Sequence, residues 1–158
     1  MKRRELISIL IGAPAFSHAI AGAKESPDGA PRWGFLGEDE ALRQIIREAG
    51  QILVICVFET SLAHVKLPFA EVVLRATVVQ TAKGTHALGD KITIRFMTDS
   101  LPDDEAARAK FIERAAAKNL GSLKLAFLDG EKSDDYQSEW LSVPAFDPEM
   151  LAFVTANK

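Results

Sequence analysis

The stretch FAEVVLRATVVQT, from Phe69 to Thr81, alternates with a period of two. Ala70, Val72, Leu74, Ala76 and Val78 fall on one side. Glu71, Arg75, Thr77 and Thr81 fall on the other, with Val73 and Val79 among them. Successive side chains of a strand point to opposite faces, so this pattern demands a long strand with one buried face. KITIRFM, from Lys91, repeats it, with Ile92, Ile94 and Phe96 inward and Thr93 and Arg95 outward. Two such strands need further partners at their edges and a cover for their apolar face.

The partners are legible on both sides. QILVICVFE, from Gln51, is a continuous apolar run rich in β-branched residues and reads as a buried strand. SLAHVKLP reads as a connection. SLKLAFLD is a further strand, with Leu123, Leu125 and Phe127 on one side. DGEKSDDYQS reads as a turn-rich loop, and EWLSVPAF as a last short strand ended by Pro144. The period changes to that of a helix in two places. In GEDEALRQIIREAG, Leu42, Ile45, Ile46 and Ala49 share a face, acidic residues stand at the start and Gly50 at the stop. In DSLPDDEAARAKFIERAAAKNLG, Asp103 or Asp104 can cap the start, Phe111, Ile112, Ala115 and Ala116 form a narrow apolar face, and Gly121 follows the end. DPEMLAFVTANK is a short helical or frayed tail. The expectation is a mainly β fold with two helices: a five-stranded OB-like Greek-key barrel, with one helix between strands 3 and 4 and an extra helix before strand 1. The alternative is an open α+β sheet with both helices on one face. Residues 38–158 form this single domain, and residues 24–37 an irregular lead-in that Trp33 and Phe35 can dock.

The amino terminus sets the compartment. Lys2, Arg3 and Arg4 precede a short apolar run from Leu6 to Ile20, broken by Gly12 and Pro14, and then small residues at Ala19, Ala21 and Ala23. This is the build of a cleavable signal peptide over residues 1–23, cut after Ala21 or Ala23, and it predicts an exported, periplasmic or secreted protein with no membrane span after cleavage. KRRELIS also resembles a twin-arginine export signal. Without residues 1–23 the chain keeps 16 basic and 21 acidic side chains, a net charge of −5. An acidic domain is a poor nucleic-acid binder, since that affinity comes from neutralising phosphates. The single cysteine, Cys56, excludes an intramolecular disulfide and a multi-cysteine zinc site, and its apolar neighbours place it in the core.

The segment TAKGTHALGDKITIRF tests for nucleotide chemistry. Gly84 and Gly89 have the spacing of a phosphate loop, but Asp90, Lys91 and Ile92 follow where Lys and a hydroxyl are needed. A strand follows where a helix must begin, so the segment is a β-hairpin connection. ATVVQTAKGTHALGDKITIRF resembles netrin-like and tissue-inhibitor-of-metalloproteinase-like OB domains, through Ala76, Val78, Val79, Lys83, Gly84, Gly89, Asp90, Ile92 and Ile94. GSLKLAFLDG resembles that family's later strand. The resemblance covers roughly residues 50–145 and implies the fold and a secreted binding or structural role. The family's protease inhibition, which uses an amino-terminal cysteine on the catalytic zinc, is not implied, because Cys56 lies inside a strand.

Other chemistry is sparse. No nucleophile elbow occurs, and His64 and His86 fall in connections, where exposed imidazoles are expected. The loop from Asp129 has Asp134 where an EF-hand needs glycine and Trp140 where it needs glutamate, so a solvated acidic hairpin is expected. No catalytic, metal or cofactor residues are assigned. The candidate ligand-binding residues are Arg75 and Arg95 with Thr77 and Thr93, on the outward face of strands 2 and 3. With Lys83 opposite Gly89 or Asp90, the arginines are diagonal neighbours on the face that OB folds use for ligands. Solvated charge paired with Glu71 is the plainer alternative. These readings point to an exported non-enzymatic binding or envelope accessory domain with a protein or polymer ligand. The alternatives are a small metal-dependent or hydrolytic enzyme and a purely structural envelope protein.

Overall fold

The computed structural model describes residues 29–138 and 143–158. The expected signal peptide and Glu139–Ser142 of the expected last strand lie outside the described residues. The chain runs through a short 3-10 turn at Gly34–Leu36, then α1 (Asp39–Glu48), β1 (Gln51–Lys66), β2 (Phe69–Lys83), β3 (Lys91–Thr98), α2 (Glu105–Asn119), β4 (Leu123–Leu128), β5 (Asp135–Gln137) and α3 (Pro148–Asn157).

The five strands form one mixed sheet in the order β4-β1-β2-β3-β5. The β1–β2, β1–β4 and β2–β3 pairs are antiparallel and the β3–β5 pair is parallel. β4 and β5 stand at opposite edges, so the sheet is not closed among the described residues. Among the described residues the fold is mainly β with three helices. Asp147 accepts from the Glu149 N–H at 2.8 Å, Pro148 occupies the first turn, and the tail is a ten-residue helix rather than a frayed end.

Alternation and burial agree along β2 and β3. Val72, Leu74, Ala76 and Val78 pack with Ile92, Ile94 and Phe96 in one core, with Leu53, Ile55 and Val57 of β1 and Ala115 of α2. A second core lies on the opposite side of the β1–β4 end. There Ile52, Val54, Leu125 and Phe127 meet Leu42 and Ile46 of α1, Met150 and Val154 of α3, and Trp33, which is fully buried. The apolar run of β1 therefore serves two cores, its alternate residues facing opposite ways.

Several expectations change. β1 does not stop at Glu59: the supposed connection SLAHVKLP carries the strand on to Lys66, with Ser61, Leu62, Ala63 and Lys66 paired to β2 and a register shift at His64 and Val65. Strand β5 forms within the acidic stretch expected to be a loop. Ala145, in the expected last strand, makes only an isolated bridge to Lys124. Cys56 is not in either core. It is half-buried, paired with Thr77 on one side and Leu123 on the other, just beyond the part of β1 that the helices cover. Gly50 ends α1 by a different route than a left-handed turn: a Cβ there would collide with the Gly130 carbonyl, so the residue permits a close backbone approach.

Candidate functional site: the outer face of the sheet

Opposite the first core, no helix covers β3, β5 and the Phe69–Thr77 part of β2 among the described residues, whereas α3 reaches the far end of β2 at Ala82. Register builds this open face in rows. Asp135 of β5 pairs with Thr93 of β3, Thr93 with Arg75 of β2, and Arg75 with Glu59 of β1. The next row runs Gln137, Arg95, Val73 and Ser61, and the next Met97, Glu71 and Ala63. Thr77 faces Lys91. A β-bulge in β1 leaves Phe58 without a partner between Val57 and Glu59, which keeps Glu59 aligned with Arg75.

Arg75 and Arg95 are diagonal neighbours as expected, but through a different register. Val78, not Lys83, meets the hairpin: its N–H donates to the Asp90 carbonyl at 2.8 Å, and the Gly89 N–H donates to its carbonyl at 2.8 Å. Gly89 holds φ at 90°, which this connection requires. Lys83 pairs with Ile52 instead, and its Nζ donates to the Ile46 carbonyl at 2.8 Å, capping the end of α1.

Both arginines carry acidic partners. Arg75 Nη1 donates to Glu59 Oε2 at 3.1 Å. Arg95 Nε donates to both Asp135 oxygens, at 2.8 and 3.0 Å, and its Nη1 to Glu71 Oε2 at 3.2 Å. The Asp135 carboxylate, with Glu71 behind it, raises the Arg95 pKa further against the cost of its burial. Glu71 is the anchor of the network. It is 8% exposed, and it accepts from Gln137 Nε2 at 3.2 Å and from His64 Nδ1 at 3.2 Å. The Gln137 amide, together with His64 and Arg95, holds its carboxyl below the usual range despite burial. His64 is the one non-glycine residue with positive φ among the described residues, at 48°. Its side chain is 82% exposed.

A second polar cluster sits inside. His86, expected in solvent, has a fully buried side chain. Its Nδ1 lies 3.1 Å from Asp90 Oδ2 and its Nε2 2.6 Å from the Tyr136 hydroxyl. Asp90 also accepts from the Ala87 N–H at 3.0 Å and pairs with Lys132 at 2.9 Å. Lys132, Ala87 and His86 lower its pKa to about 2. The Ser133 N–H donates to the Tyr136 oxygen at 2.9 Å, and burial raises the tyrosine's pKa. Every polar atom of the His86 ring is thus used within the protein, which makes this a structural latch between the β2–β3 connection and the β4–β5 loop.

The structure brings all four predicted face residues, Arg75, Arg95, Thr77 and Thr93, onto one surface. It adds Glu59, Glu71, Asp135, Gln137 and His64, which the sequence reading did not assign to a site. Glu71 had a signal, since it shares the outward set of β2. Asp135 and Gln137 had none, because their stretch lacks strand alternation. Among the described residues no cluster of three or more His, Cys, Asp or Glu side chains forms a metal-binding group. A scan against protein-family models finds no match, and neither does a search of curated protein sequences.

Proposed function

We propose that the chain is an exported, non-enzymatic binding domain of the OB type, and that the outer face of β2, β3 and β5 is its ligand surface. The OB reading is supported by connectivity. β1 pairs with both β2 and β4, β3 pairs antiparallel with β2 and parallel with β5, and α2 lies between β3 and β4 in the chain. That is the pairing scheme of a Greek-key barrel opened between β4 and β5. The export reading rests on the n-region, apolar run and small residues of residues 1–23.

One observation carries the functional reading. The same sheet face is sealed by α1, α3 and Trp33 at its β1–β4 end, yet among the described residues it stays open at its β2–β3–β5 end, where it carries Arg75, Arg95, Glu71 and Asp135. The open end is also pre-organised: Glu59 holds Arg75, and Glu71 and Asp135 hold Arg95, so a ligand meets ordered donors and acceptors at reduced entropic cost. The test is hydroxyl-radical footprinting of the protein alone and after incubation with the envelope fraction of its native cell. Protection should fall on β2, β3 and β5. Protection confined to α1, α3 or the loop at Asp129 would overturn the reading.

A further inference from the structure

Resting on the binding role proposed above, we infer that the ligand is an acidic, extended polypeptide segment with apolar side chains, held at two lysine–phenylalanine corners of the outer face. The arginines are not the free cations of this face. Glu59 neutralises Arg75, and Glu71 and Asp135 neutralise Arg95. The lysines are different. Lys91 faces Thr77 and Lys66 faces Phe69, both are exposed, and neither has a carboxylate partner among the described residues. Arg75, Arg95, Lys66 and Lys91 stand against Glu59, Glu71 and Asp135, so these groups leave a net +1 seated at the lysines, while the whole chain carries −3. A local field opposed to the net charge selects and steers an acidic partner.

Each lysine stands beside an exposed aromatic ring. Lys91 Nζ lies 5.9 Å from the Phe58 ring centroid, and Phe69, in register with Lys66, is 45% exposed. Phe58 is 42% exposed because the bulge in β1 leaves it no partner. Met97, 48% exposed opposite Glu71, extends the apolar shelf beside Phe69. Exposed aromatic and thioether side chains beside cations suit apolar protein side chains flanked by carboxylates, and such residues are enriched at interface anchors. From Phe69 to Thr77, the partner of Lys91, is eight residues of β2, or about 26 Å at roughly 3.3 Å per residue. An extended segment of about the same number of residues reaches both corners.

The experiment uses the full chain and a ten-residue synthetic peptide with phenylalanine at each end and alternating glutamate and serine between, followed by fluorescence anisotropy at low salt. Binding should weaken at least tenfold in Lys66→Glu/Lys91→Glu and about threefold in Phe69→Ser, and raising salt should weaken the wild type, as screening requires. Both lysines are exposed, so a urea titration should show the double variant folded as stably as the wild type. No binding of the peptide, binding indifferent to the double variant, or equal binding of an alginate oligosaccharide overturns the inference. Failure here with a native footprint on β2 and β3 leaves the face as the ligand surface and removes only this ligand class. A native footprint elsewhere removes both.

Discussion

Two histidines of this chain each give Nδ1 to a carboxylate, and the pairs have opposite characters. His86 is enclosed and Asp90 is partly exposed, and a carboxylate that only accepts takes its bond from the imidazole Nδ1–H. The ring's Nε2 lies 2.6 Å from the Tyr136 hydroxyl, whose oxygen accepts from the Ser133 N–H. His64 and Glu71 share the same first bond, but the His64 ring is 82% exposed and Nε2 has no partner among the described residues. In the first pair the histidine is enclosed and the carboxylate reaches the rim. In the second the carboxylate is enclosed and the histidine is outside. Hence the first pair holds two loops together, while the second places an oriented imidazole on the open face.

The contrast breaks most visibly by deletion of the rings. His86→Ala should cost about 3 kcal/mol, because it empties a buried site and strands the Tyr136 hydroxyl, whereas His64→Ala should stay within about 0.5 kcal/mol. Urea denaturation of the two variants measures this, and equal losses would erase the distinction. Next comes the arginine pair. Arg95→Ala should lower stability measurably by leaving Glu71 nearly buried with fewer donors, while Arg75→Ala, at an exposed pair, should leave it nearly unchanged. Equal costs in the same titration would show that Glu71 does not depend on Arg95.

Tyr136→Phe is a finer probe. It removes one oxygen and leaves His86 Nε2 and the Ser133 N–H without their partner, which should cost about 1 kcal/mol and raise hydrogen exchange at Ser133. Unchanged exchange would show that the hydroxyl does not hold the loop. The smallest effect is in acid. Asp90 has its folded pKa depressed from 3.8 to about 2, so its stabilising contribution is complete above the unfolded value and is lost as pH falls through about 2. Asp90→Asn should remove that component of the acid dependence between pH 3.8 and 2. A wild-type curve that matches the variant there would mean that the carboxylate does not hold the latch.

Legibility in the sequence followed the range of the interaction. The faces of β2 and β3 could be read because alternation is local, and Arg75, Arg95, Thr77 and Thr93 were placed on one surface from it. The apolar positions Leu42 and Ile46 marked the buried stripe of α1 in the same way. Cys56 was misplaced because ILVICVF is apolar on both sides, and only the position of α1 and α3 decides where the second cover ends. His86 was misplaced because its burial depends on Tyr136, fifty residues away in the chain.

By itself, then, the sequence determined the strand faces, two of the helices and the outward placement of the candidate arginines, since each is set by side-chain period within a few turns or residues. Tertiary structure alone decided the register at Val78, the parallel docking of Asp135–Gln137 on β3, and the pairing that spends Arg95 on Glu71 and Asp135. The physical reason is that pairing energy between strands depends on which distant segments meet. A three-residue strand with no apolar alternation becomes a strand only when a neighbour such as β3 offers it backbone partners.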